Sequence, residues 1–195
     1  RLTTGGCPNK CYAYHSLDEK PDSTKRYFVG CLWSPDSRHF VMTHRADSIL
    51  AKMWVINSLS SPRPTLETYR YQMPGEETPT MTMELFDFEN KTSKMIDVAQ
   101  FKHQRIELFG RPATHATRQE VPYKRIWLGD NNGFYFERIS RDMKRIEVCH
   151  VSVDSDSATA VVREEMNTSI ESKPIRLING GKQFIQWSER TGWAM

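Results

Sequence analysis

Apolar positions in this chain fall in short runs of about four to eight residues. The stretches between them are rich in Gly, Pro, Asn, Asp and Ser. That pattern predicts strands at 38–44, 53–56, 63–71, 81–88, 94–98, 125–128, 134–140, 144–153 and 159–163. Alternation is clearest at 63–71, where Leu66, Thr68 and Arg70 face one way and Thr65, Glu67, Tyr69 and Tyr71 the other. Phe134, Tyr135 and Phe136 are aromatic at successive positions, which suits a sheet packed on both faces. Long helices are not expected anywhere.

One local grammar recurs. Trp33 precedes the turn Ser34-Pro35-Asp36-Ser37, and Phe40-Val41-Met42 follows it. Proline presets φ, while Asp and Ser can bond back to nearby amides. Trp127 precedes Gly129-Asp130-Asn131-Asn132-Gly133, and Leu177 precedes Asn179-Gly180-Gly181, each again with an aromatic strand after the turn. The turn centres near Asn131 and Gly180 lie about 49 residues apart, and those near Asp36 and Asn131 about twice that. Repeats of roughly 40–50 residues built from short strands suggest propeller blades. The expected fold is therefore all-β, a partial β-propeller of four-stranded antiparallel blades. Trp33 is expected to fill the space between sheets. Burying an indole of ~150–250 Å² contributes on the order of 4–6 kcal/mol at most.

The expected organisation is one propeller domain over 1–195. Residues 1–30 end a blade and connect, 31–98 form a blade with insertions, and 99–123 are an irregular connection. A compact blade follows at 124–165, and 166–195 open the next. Both ends look cut: the chain starts at Arg1 as if leaving a strand, and stops soon after Thr191-Gly192-Trp193. No apolar run approaches 18 residues, so no membrane contact is expected within this segment.

Composition narrows the function. A net charge of +3 with interspersed signs lacks the dense basic stripe of a nucleic-acid binder. Cys7, Cys11, Cys31 and Cys149 are too few for a disulfide scaffold and lack zinc-site spacing. Asn90-Lys91-Thr92 and Asn167-Thr168-Ser169 match the glycosylation sequon. The six histidines are scattered, and His150 reads as a structural residue within a strand. Glu76-Glu77 and Glu164-Glu165 read as solvated loop ends. No Gly-x-Ser-x-Gly, His-Glu-x-x-His, phosphate loop or dinucleotide fingerprint occurs. No catalytic residue, metal site or cofactor is expected.

Three motifs carry a resemblance. Trp33-Ser34-Pro35-Asp36-Ser37 with its strand resembles the turn-and-strand motif of Tol-type propellers and of prolyl oligopeptidase-type serine peptidases. Tyr71-Gln72-Met73-Pro74-Gly75-Glu76-Glu77-Thr78-Pro79 before Met83-Glu84-Leu85-Phe86-Asp87 resembles a hairpin and strand of the dipeptidyl peptidase IV family. Ser188-Glu189-Arg190-Thr191-Gly192-Trp193 resembles that family's serine-glutamate-arginine-x-glycine-aromatic segment. The resemblance implies part of an N-terminal propeller that gates and positions peptide substrates for a separate C-terminal hydrolase domain. The family's catalytic serine, aspartate and histidine lie in that other domain.

The resemblance also implies a periplasmic, extracellular or membrane-anchored parent. It further implies an acidic pair that holds the substrate amine; Asp18-Glu19 is the only pair in the corresponding stretch, and it stands off the family's spacing. An exposed acidic loop is the other reading of that pair. Two rival functions are a Tol-type binding module without a catalyst and a self-contained enzyme of an unrelated class. An unclosed array leaves a blade face uncovered, so self-association is expected.

Overall fold

The computed structural model describes residues 10–12, 30–109, 125–173 and 175–192. The chain divides into two compact units. Of the described residues, 10–12, 30 and 44–81 belong to the first and the rest to the second. Apart from a single 3-10 turn at Asn179–Gly181, the regular elements among the described residues are all strands. The fold is the all-β, partial propeller of four-stranded antiparallel blades that the turn-and-strand repeat implies.

In the first unit, β1 (Lys10–Cys11) pairs with the far end of β3 (His39–Ala46) through Cys11↔Arg45 and Lys10↔Ala46. A hairpin of β4 (Lys52–Asn57) and β5 (Thr65–Arg70) follows, in register from Lys52↔Arg70 to Asn57↔Thr65. Its base is tied down by Arg70, which donates to the carbonyls of Ser48 and Leu50, and by Tyr71 N–H to Ala51 O. After it, Gly75 takes a φ of +88° in a turn where Glu76 accepts from Met73 N–H at 3.0 Å. Only glycine holds such a φ without strain. Glu76 is exposed, as expected of a solvated loop end, and also caps this turn.

The second unit holds the first blade: β2 (Leu32–Trp33), the start of β3, β6 (Thr80–Asp87) from Thr82 on, and β7 (Thr92–Ile96). Phe40 and Phe86 stack at 4.6 Å with planes 2° apart, both buried. Trp33 tilts against Phe40 at 4.7 Å but stays 40% exposed. The expectation that it fills the inter-sheet space is corrected: the indole stays partly in solvent, lying against Phe40 and edge-on to Phe88, while Phe40 and Phe86 are the buried rings.

The second blade is β10 (Gly133–Ile139), β11 (Arg145–Ser152) and β12 (Thr159–Glu165), with a first strand made of two pieces. β9 (Gly129–Asp130) pairs with the start of β10, and β8 (Arg105–Leu108) pairs with the remainder from Phe136 to Ile139. Two expectations fall here. Residues 105–108 are a strand and not irregular connection, and 126–128 are not a strand, because β8 already occupies that edge of β10. Trp127 is buried against Phe134 at 4.7 Å and 46°, nearly the geometry of Trp33 on Phe40 at 43°. β13 (Arg176–Ile178) and β14 (Gln183–Ile185) form a further hairpin, with Leu177 opposite Phe184.

Two turns share one hydrogen-bond scheme. Ser34 Oγ donates to Asp36 Oδ1 at 2.6 Å, Arg38 N–H donates to that oxygen, and His39 N–H donates to Ser34 Oγ. Ser140, Asp142, Lys144 and Arg145 repeat each bond, at 2.5, 3.1 and 3.0 Å. Ser37 and Met143 occupy the same left-handed position, both at φ 59°. The Ser-x-Asp spacing explains this: a short carboxylate two residues on satisfies the hydroxyl and the next free amide together.

Candidate functional site

The charged groups that matter in the second unit lie on the two faces of the second blade. Alternation along β10 sends Phe134, Phe136 and Arg138 one way and Tyr135, Glu137 and Ile139 the other. On the first face, Glu147 accepts from Arg138 Nε at 2.6 Å and from Arg163 Nε at 2.9 Å. The Arg138 and Glu147 side chains are each 5% exposed, so the pair is desolvated and completed by a second arginine. Arg138 Nη1 also donates to Val98 O at 3.3 Å, and Arg145 sits 4.9 Å over the Phe101 ring. Gln104 shapes the segment they grip: its amide donates to Val98 O and accepts from Gln100 and Phe101.

Two further bonds join the blades. Asp97 N–H donates to Asp156 O at 2.6 Å beside a parallel bridge, Asp97↔Ser157. At the turns, Asp36 N–H donates to Asn131 Oδ1 at 3.1 Å. The first blade is thus pinned to the second by backbone, carboxamide and guanidinium groups together.

The second face is mostly apolar. Val148 packs with Phe109 and Ile175, and Leu177 and Phe184 lie against that cluster. Ile139 and Ile146 pack with Ile170. Within this face lie Glu137, 2% exposed, and Glu164, 5% exposed. Burial pushes Glu137 up to about 7, against the bond from the Ser172 hydroxyl. Glu164 is therefore no solvated loop end: β12 runs to Glu165 and turns it inward, 3.6 Å from Arg190.

The remaining candidates named from the sequence do not gather at one place. Asp18 and Glu19 lie outside the described residues. His150 packs on Tyr135 at 4.8 Å, and burial lowers its basicity. Cys149 is fully buried and pushed up to about 11 by burial, which makes it a poor nucleophile. Cys31 is also a free thiol. Among the described residues no three His, Cys, Asp or Glu side chains gather as metal ligands. No helix among them is long and apolar enough to cross a membrane. Pattern reading misses Glu137, Arg138 and Glu147. Their signal is a charge at an interior position of an otherwise apolar strand.

The sequence profile of the family described as "Dipeptidyl peptidase IV (DPP IV) N-terminal region" matches residues 26–195. No curated protein matches the chain. Porphyromonas gingivalis dipeptidyl peptidase 4 is similar in structure, with a TM-score of 0.72 and 16% identity over 99% of this chain and 25% of that one. A Bacteroides ovatus protein assigned as a dipeptidyl aminopeptidase IV gives a TM-score of 0.70 and 14% identity, over 98% and 24%. The chain thus spans about a quarter of the length of each solved relative.

Proposed function

The chain belongs to the dipeptidyl peptidase IV N-terminal region family, and from that premise we propose that it is the non-catalytic propeller portion of a serine-type dipeptidyl peptidase. In this reading it restricts access to peptides and positions their N-termini for a separate α/β-hydrolase domain of the same protein. The family match over 26–195 carries the proposal. The interlocked blades support it physically, since a gate must hold its opening against a bulky substrate. The parent protein is proposed to be periplasmic, secreted or anchored by another segment.

Asp18 and Glu19 are proposed to hold the substrate's free amine. Alanine at both, in the full-length enzyme, should raise KM for short peptides and leave hydrolysis of a small ester much less affected. Equal losses on both substrates would reject that role.

The proposal as a whole is tested with the full-length protein and a peptide series. Release of N-terminal dipeptides from short peptides, with folded proteins left intact, is the expected result. A reading frame without a hydrolase domain, or a full-length product inert on every peptide, would sink it and favour the Tol-type binding module. For contacts with a second copy, the proposed surface is the β4–β5 hairpin, where Trp54, Ile56 and Leu66 are 71%, 70% and 66% exposed.

A further inference from the structure

Glu137 is a buried carboxyl group that blade architecture does not require. It lies directly opposite Glu107 of β8 on one side and Val148 of β11 on the other. Its Oε2 accepts from the Ser172 hydroxyl, and its Oε1 has no hydrogen-bond partner among the described residues. Glu147, equally buried one residue pair away, instead accepts from two arginines.

The charges around Glu137 do not neutralise it. On β8, Arg105 is bound to Glu107 at 2.8 Å. On β12, Glu164 adds a second negative charge, and Arg190 stands beside Glu164. In the connection after β12, Glu171 and Lys173 pair with each other on either side of Ser172. β11 contributes only the apolar Val148 at that register. Like charges directly opposite on paired strands repel, and a buried carboxylate without a counter-ion takes up a proton.

What covers Glu137 is a short strip of chain. Ile170 is seated on Ile139 and Ile146, and Ile175 on Val148, so Ser172 lies between two apolar anchors. The β13–β14 hairpin follows at once.

We propose that Glu137 and Ser172 form a proton-controlled latch. With Glu137 neutral, residues 170–173 stay clasped on the second blade. With Glu137 ionised, hydrating the carboxylate requires that strip to lift, which loosens the β13–β14 hairpin behind it. The proposal does not depend on the peptidase reading. The value of about 7 for Glu137 places the transition near neutrality.

Hydrogen exchange read by mass spectrometry on the full-length protein tests this, at about pH 5.5 and about pH 8.5, corrected for intrinsic exchange. Protection over 166–187 should fall several-fold at the higher pH, while β10 and β11 hold. Glu137→Gln should keep the strip protected at both pH values. Ser172→Ala should loosen it at both. Equal protection in the natural protein at the two pH values would overturn the latch, as would Glu137→Gln tracking the natural protein. Should Glu137→Gln fail to fold, Ser172→Ala as well protected over this strip as the natural protein at both pH values would overturn it.

Discussion

The backbone N–H of Asp36 donates to Oδ1 of Asn131 at 3.1 Å, across 95 positions of sequence. Each residue sits in the turn that leads into the second strand of its blade. The repeat unit therefore contacts its own next copy through the equivalent loop. Asn131→Ala should cost about 0.5–1.5 kcal/mol, the usual net worth of one such bond. Asn131→Asp keeps the acceptor and should cost less. Urea melts of the two variants check the order.

The carboxylates divide into two groups with opposite pH signs. The Ser34 hydroxyl and Arg38 amide hold Asp36 below the ordinary carboxylate range, and the Ser140 hydroxyl and Lys144 amide do the same for Asp142. Asn90, through its amide and side chain, does it for Asp87. Their folded values are depressed, so their stabilisation is present above the unfolded value of about 3.9 and is lost as pH falls through the folded value. Glu137 is raised to about 7, so its contribution is present below about 4.5 and is lost as pH rises towards about 7. That loss is on the order of 3 kcal/mol. Stability should therefore peak in mild acid, and Glu137→Gln should flatten its alkaline side. A melting series across pH with both proteins decides it.

Breaking the buried pair on the other face should be severe. Arg138 and Glu147 are both nearly inaccessible. Arg138→Met leaves Glu147 with the largely exposed Arg163, and Glu147→Leu strands Arg138. Each single change should cost about 3–5 kcal/mol, while the double replacement should cost markedly less. Chemical denaturation of the three variants forms the cycle. Additive losses would contradict the desolvated-pair account.

Much of this fold is legible in the sequence because it rests on local chemistry. The Trp33 and Trp127 units mark the repeat, and their aromatic pairs do share a geometry. What the pattern does not show is which turns are alike in atomic detail. Ser34–His39 matches Ser140–Arg145, not the Asn131 turn, since hydrogen bonds follow the Ser-x-Asp spacing while packing follows the tryptophan. β8 is invisible to pattern because its four residues, Arg105–Leu108, are half charged and become a strand only by pairing with β10. The inward turn of Glu137 and Glu147 depends on strand register, which composition does not encode. Gly129 looks like a turn residue, yet it pairs with Phe134 in β9.

That pairing makes Gly129 a site of close approach. A Cβ there would lie 2.1 Å from the Gly133 carbonyl oxygen, and backbone cannot give way as a flexible side chain can. Gly129→Ala should therefore destabilise by about 2 kcal/mol or more and open the Trp127–Phe134 contact. Thermal melts with tryptophan fluorescence read both effects. An unshifted melt would mean that the β9–β10 pairing is looser than this geometry requires.

The β4–β5 hairpin carries the last prediction. Cross-strand pairing places Ile56 opposite Leu66 and Trp54 opposite Thr68, so the three exposed apolar side chains share one face. A lone two-stranded hairpin with a wet apolar face is marginal, and a contiguous patch of this kind marks a contact surface. On a symmetric dimer the same patch would be covered twice. Trp54→Ser with Leu66→Thr should shift the full-length protein towards monomer in sedimentation velocity. The melting temperature at low concentration should change little, because the replaced side chains contribute almost nothing to the monomer's core. A monomeric natural protein at every concentration would remove the self-association reading. A large loss of monomer stability in the variant would show instead that the hairpin face packs within the chain.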